Sequence, residues 1–395
     1  MGIQMVRMAE FSWHKMEPRC GEFHFEWLDR AVNLLGRHGI YTMLGTPTAA
    51  PPAWIVEKNP EILPVDSNGQ RKSFGGRHHD CQSNKVYREH VKRIVAAMAE
   101  HFKNNPYIIG WQIDNELGNS HDDLCMCESC KNAFSRWLEN KYHTIDELNH
   151  QWGTSFWSQE YDDFSQIPVP RKTPTVHNPS MLLDWKRFCS DLVIDFQNMQ
   201  ISIIRKISPN QKITHNLMGF YDKTNYFKMA ETLDFAANDQ YPTGYYFKAP
   251  GQPPYEVAAC MDFIRCVKTE KNFLDDGNAV WSHWRFSYRG KSASRTESFV
   301  DSSKVSPTVQ LKITYFRWRT CLFGAEQFWH GILPHNGVPG RRYSEIQETI
   351  QILTPVMDDI HGIVQKAQAG ILFSYAYFMI SEISSAEVAF TTTSG

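Results

Sequence analysis

The sequence predicts a (β/α)8 TIM barrel that is incomplete at its N-terminus, and three observations lead there. Short β-like runs alternate with amphipathic helical patterns from end to end, the signature of a parallel sheet with helical crossovers. Polar or aromatic residues cluster directly after each run, as they do on the active-site face of a barrel. No internal repeat or low-complexity linker interrupts the alternation. Seven runs are found where a closed barrel needs eight, and the first starts at Ile3 with no unit before it.

Taken in order, the runs are Ile3 to Met8, Tyr41 to Leu44, Ile108 to Ile113, Lys212 to Asn216, Phe235 to Ala237, Phe273 to Asp275 and Thr314 to Trp318. The first helix follows from Trp27, Leu28, Ala31, Val32 and Leu35, with Gly39 as its C-terminal stop. A second follows from Tyr87, Val91, Ile94, Met98 and Phe102, ahead of Pro106. A third follows from Trp185, Phe188, Leu192, Phe196, Met199 and Ile203. Steps of three and four give each one buried face. The clusters after the runs are Glu10-Phe-Ser-Trp13, Thr46-Pro-Thr48, Asp114-Asn-Glu116, His215-Asn216, Asp239-Gln-Tyr241, Asp275-Asp276 and Arg317-Trp-Arg319. The widest gap, between Glu116 and Lys212, reads as an elaborated barrel loop. Residues 1–370 are thus expected to form a barrel domain, and 371–395 an irregular tail or the start of a further domain.

Composition narrows the function classes. The 395 residues carry 41 basic and 43 acidic side chains, a net charge of −2 that leaves no basic excess for nucleic acid. Apolar residues at 42% against 21% charged can bury a large core and argue against disorder. No apolar run approaches the ~20 residues of a membrane span, so no membrane partner is expected. Nine cysteines are too dilute for a disulfide scaffold. Three of them, Cys125, Cys127 and Cys130, cluster as metal ligands do. A reducing cytoplasm fits this usage. The 12 tryptophans suit stacking on a ring-shaped ligand. Trp13, Trp54 and Trp111 either line such a cleft or pack beneath it.

Trp111-Gln-Ile-Asp-Asn115-Glu116 places a carboxyl group with an amide neighbour at the mouth of the barrel. Paired carboxyl groups across a sugar ring are the equipment of glycoside hydrolysis. The bland alternative is a helix cap or a surface acid. The chain resembles glycoside hydrolase family 42, the β-galactosidases, over nearly its whole length. The matching stretches include Val6-Arg-Met-Ala-Glu10-Phe-Ser-Trp13, Gly45-Thr-Pro-Thr-Ala-Ala-Pro-Pro-Ala-Trp54, Arg77-His-His, Gly110-Trp-Gln-Ile-Asp-Asn-Glu-Leu-Gly118, Phe156-Trp157, Asp239-Gln-Tyr-Pro242 and Phe316-Arg-Trp-Arg319.

The resemblance implies a retaining, double-displacement hydrolase of terminal β-D-galactosides, in a family whose barrel is followed by further domains and usually assembled as a homotrimer, with the assembly domain expected to be absent from this chain. It implies Glu116 as acid/base and Asn115 as the amide on the sugar 2-hydroxyl. Arg77, Trp157, Tyr241 and Glu326 are implied as substrate-binding residues. His330 matches a further one with a one-residue slip. The family places its nucleophile, a glutamate, at the end of the seventh strand, about eight residues before a substrate-facing tryptophan. Here Asp276 precedes Trp284 by that spacing, so Asp276 takes the nucleophile position and Trp284 the tryptophan's. Aspartate is one methylene shorter, a costly retreat where the two carboxyl groups must lie about 5–5.5 Å apart. Glu326 as a substitute nucleophile, and an impaired or inert galactoside-binding barrel, are the alternatives. From Asn272 to about Ser306 the sequence departs from the family generally. Cys81, Cys125, Cys127 and Cys130 match four positions that bind zinc in many members. A closed Cys₄ set suits structural Zn²⁺, within a loop region spanning 81–130. Four reduced thiols packed in a loop is the alternative. His78 and His79 are expected to point one inward and one outward.

Overall fold

The computed structural model describes residues 1–118, 124–240, 254–268, 279–285, 310–329, 331–360, 372–381 and 383. Strands β1 (Met5–Met8), β2 (Tyr41–Gly45), β3 (Ile108–Gln112) and β4 (Lys212–Thr214) pair in that order. Strands β5 (Asn216–Leu217), β6 (Ala237–Gln240), β7 (Ala279–Arg285) and β8 (Gln310–Phe316) form a second set. Every pairing is parallel. β4 and β5 are one chain path interrupted at His215, so the described strands fill seven successive positions. Between β1 and β8 lies a cavity of about 620 Å³, lined by Met5, Val6, Met8, Tyr315, Phe316 and Ile332 among others.

The strand expected at Phe273 to Asp275 falls outside the described residues, and the strand beside β6 is β7, registered from Ala237↔Trp281 to Gln240↔Trp284. Both stretches are short and open on apolar residues, and periodicity does not separate such runs.

The helices are α1 (Trp13–Met16), α2 (Glu26–Arg37), α3 (Ala53–Lys58), α4 (Lys85–Phe102), α5 (Glu128–Tyr142), α6 (Ile145–Trp152), α7 (Pro179–Ile207), α8 (Tyr226–Ala230), α9 (Pro254–Val267) and α10 (Arg341–Ile360). Their starts are chemically marked. Asn84 accepts the Tyr87 N–H at 3.0 Å to open α4. Asn178 accepts from Ser180 at 2.9 Å to open α7, with Pro179 in the first turn. Val91, Ile94 and Met98 of α4 and Phe196 and Ile204 of α7 pack over Leu44, Trp111 and Ile213 of the sheet. Each fully buried side chain of this size stabilises the fold by about 1.5–3 kcal/mol. The close approach of strands also selects residues. A Cβ on Gly110 would stand 2.4 Å from the Lys212 carbonyl oxygen of β4.

A second core lies outside the barrel. Phe134, Leu138, Leu148, Trp152, Trp185 and Phe188 from α5, α6 and α7 enclose Cys81, Cys127 and Cys130. Part of the stretch beyond 371 packs against the barrel. Tyr375 and Met379 are buried in the barrel core, and the Phe373 ring lies 4.7 Å from that of Phe263 on α9. These aromatic side chains cover the flank of α8 and α9.

Candidate active site

β3 carries the site. Beyond Gln112 the chain passes through Ile113 and then turns tightly, with Asp114 at φ 51° and Glu116 at φ 48°. Both are in the left-handed region, which disfavours residues with a Cβ. Glu116 ends up buried, and its Oε2 accepts from Arg77 Nη2 at 2.6 Å and from Asn115 Nδ2 at 3.4 Å. Arg77 reaches it from the loop between α3 and α4. That loop is pinned by the His78 N–H on the Ala49 oxygen at 2.7 Å and the Cys81 N–H on the Ile62 oxygen at 2.7 Å. The Arg77 guanidinium also lies 5.9 Å from the Phe11 ring centre. Arg77, Asn115 and Glu116 are thus brought together from two strand ends.

A shell of polar side chains surrounds them. Thr48 donates to Asp114, and Thr46 donates to Gln200 of α7 at 2.8 Å. Burial pushes the Asp114 carboxyl up to about 6, while the hydrogen bonds from Thr48 and the Asn115 N–H oppose it. On the other side Asn216 Nδ2 donates to Asn115 Oδ1 at 3.1 Å and to Asp239 Oδ2 at 2.9 Å. Sequence reading marked Thr46, Thr48, His215, Asn216 and Asp239 as polar strand ends without showing what they touch. It missed Gln200, whose only signal is an amide on a helix face that is otherwise buried.

The remaining candidates stand as follows. Glu326, in the loop after β8, is ion-paired with Arg317. Trp157 is 61% exposed in a 3-10 turn, its ring 4.9 Å from that of Phe156. Trp284 lies in β7 opposite Gln240. Tyr241, Asp276 and His330 lie outside the described residues, and β7 begins after Asp276 in the chain. Trp13 and Trp111 are packing residues: both are fully buried, with their indole N–H groups on Glu17 at 2.8 Å and Gln211 at 2.6 Å. Trp54 is half-buried and donates to the Glu17 carbonyl at 3.0 Å. His79 points inward, 3.0 Å from the Pro51 carbonyl, and burial pushes its pKa down.

The four predicted cysteines converge. The Sγ atoms of Cys81, Cys125, Cys127 and Cys130 lie within 4.8 Å of one another. Cys81 is 3.5 Å from Cys127 and 3.4 Å from Cys130, and Cys127 is 3.8 Å from Cys130. A tetrahedron with metal–sulfur bonds of about 2.3 Å has edges of about 3.8 Å, so the donor set fits a zinc-sized cation. The Val65 N–H points at Cys125 Sγ from 3.3 Å, the outer-shell contact expected around a thiolate.

The parallel α/β pairing and the buried carboxyl–guanidinium pair at the C-terminal mouth of the strands place the protein in the class of parallel α/β barrels that carry their functional face at the strand C-termini. Within that class, the chain belongs to glycoside hydrolase family 42, described as beta-galactosidase, which matches residues 1–356. It is similar to the beta-galactosidase Bga of Halorubrum lacusprofundi, 37% identical over 366 residues, covering 88% of this chain and 51% of that protein. It is also 37% identical over 399 residues to a beta-galactosidase of Thermus thermophilus, covering 97% of this chain and 60% of that one. The crystal structure of a beta-galactosidase from the psychrophilic Marinomonas ef1 superposes with a TM-score of 0.88 at 31% identity, covering 98% of this chain and 61% of that one. This chain spans between about half and three-fifths of the length of these relatives. Among the described residues, no helix is long and apolar enough to cross a membrane.

Proposed function

We propose that the protein is a retaining glycoside hydrolase acting on terminal β-D-galactosides, with Glu116 as acid/base. The observation that carries this is the Glu116 carboxyl group, buried at the end of β3 and held by Arg77 at 2.6 Å beside Asn115. In the first step a carboxylate attacks the anomeric carbon, the bond to the leaving oxygen breaks, and the Glu116 proton moves to that oxygen. In the second, Glu116 takes a proton from water, the water oxygen attacks the anomeric carbon, and the carboxylate leaves. Arg77 and Asn115 orient the sugar hydroxyls, with Trp157, Tyr241, Trp284, Glu326 and His330 as further subsite members. Replacing Glu116 by Ala should lower hydrolysis of an aryl β-galactoside by about 10²–10⁴-fold. Unchanged turnover refutes the assignment.

Asp276 is the proposed nucleophile. A second reading, a galactoside-binding barrel without turnover, is favoured by one observation. β7 ends at Arg285, and no Asp or Glu occurs from Gly277 through Thr296. Asp276→Glu separates the two: a sharp gain in turnover supports a damaged nucleophile, and no gain supports the binding barrel. The codons from 270 to 306 give an independent check.

The four cysteines are proposed to hold a structural Zn²⁺. Their mutual spacing supports this, and a four-sulfur set leaves no open position for hydrolytic chemistry. Bound there, the ion ties the chain at 125–130 to the loop that carries Arg77. Nine free thiols support a reducing, cytoplasmic setting.

A further inference from the structure

The turn at 113–117 holds two non-glycine residues at φ 51° and φ 48°, a strain on the order of 1–3 kcal/mol each that surrounding contacts must over-determine. Four successive N–H groups there end on side chains. The Asp114 N–H meets Thr46 Oγ1 at 2.7 Å, and the Asn115 N–H meets Asp114 Oδ1 at 2.6 Å. The Glu116 N–H meets Asn216 Oδ1 at 3.0 Å, and the Leu117 N–H meets His215 Nε2 at 3.1 Å. His215 also grips the start of the turn, its Nδ1 standing 2.7 Å from the Ile113 carbonyl oxygen. A carbonyl only accepts and an amide N–H only donates. The two contacts therefore fix a neutral ring with Nδ1–H donating and Nε2 accepting. The ring is fully buried and sits at the break between β4 and β5. It bridges the two residues that flank Asp114-Asn115-Glu116.

We propose that His215, as its Nδ1–H tautomer, is a positioning residue that sets the reach of the Glu116 carboxyl group toward the leaving-group oxygen. This rests on the reading of Glu116 as acid/base. It is tested with His215→Ala and His215→Gln in the full chain, using kcat/KM, which reports the first chemical step. The substrates are p-nitrophenyl and 2,4-dinitrophenyl β-D-galactoside, the second of which leaves without needing a proton.

A displaced acid should cost His215→Ala up to about 10²-fold on the p-nitrophenyl substrate and several-fold less on the dinitrophenyl one. His215→Gln, which keeps one donor and one acceptor, should recover much of the loss. Equal losses on both substrates, or a loss matching the unfolded fraction, overturn the proposal. Glu116→Ala serves as the reference. If it lacks the same asymmetry, the acid/base reading itself has failed and this inference falls with it. If Glu116→Ala shows the asymmetry and His215→Ala does not, only this inference fails. A readout free of turnover is ¹⁵N-histidine NMR of the parent, with the His215 signals identified by their loss in His215→Gln. An Nδ1–H ring is expected, and an Nε2–H ring overturns the proposal.

Discussion

Replacing Asp114 by Asn should make the protein's stability less sensitive to pH, in a direction the structure dictates. The carboxyl is 1% exposed, and burial lifts it from 3.8 to about 6. Below pH 3.8 it is protonated in both the folded and the unfolded chain. Between 3.8 and about 6 the folded chain keeps a proton that the unfolded chain has released, so stability falls as pH rises through that window and levels off above it. At about 1.4 kcal/mol for each pH unit of the difference, the cost at neutral pH is roughly 3 kcal/mol. The asparagine amide removes the titration and keeps the contacts. Its Oδ1 can accept the Asn115 N–H, and its Nδ2 can donate to Thr48, whose own proton can turn to Gln200 Oε1 at 3.3 Å. Urea unfolding at pH 4, 5, 6 and 7, followed by tryptophan fluorescence, measures both proteins. The difference should move by about 2.4 kcal/mol in favour of Asp114→Asn between pH 4 and pH 7. Parallel curves, or a shift favouring the parent, would falsify the argument. The expected result would mean that the chain carries a destabilising carboxylate at neutral pH for the sake of the turn that presents Glu116.

Two further outcomes follow from packing and metal chemistry. Cys81→Ser should abolish retention of one equivalent of zinc in metal analysis after gel filtration and lower the unfolding temperature, because the second core is built around the four sulfurs; equal zinc content in parent and variant counts against the site. Gly45→Ala should destabilise by about 1–3 kcal/mol, since its Cβ would lie 2.6 Å from Glu10 Cβ and 3.0 Å from Glu10 N; an unchanged urea midpoint would show that β1 can yield there.

Residue type and spacing alone made several features legible. The 3.6-residue steps of α4 and α7 lie in the chain whatever the fold around them, and so do the cysteine spacing and the polar clusters after apolar runs. The amide and carboxyl at Asn115-Glu116 were readable for the same reason: a strand that ends in them presents them at the mouth of any parallel barrel. Other features depended on which distant residues the parallel register sets side by side. His215 meets Leu117 across 98 positions, and Asn216 meets Glu116 across 100. Trp13 and Trp111 are as apolar in sequence as cleft-lining tryptophans, and only their buried partners show them to be packing. Nothing in the sequence says what Phe373 and Tyr375 pack against, and only their ring contacts with Phe227 and Phe263 place them on α8 and α9. β7 could not be told from the short run before it until β6 supplied a partner. Local pattern is written along the chain, whereas hydrogen-bond partners and burial belong to pairs of residues and exist only once the strands are in register.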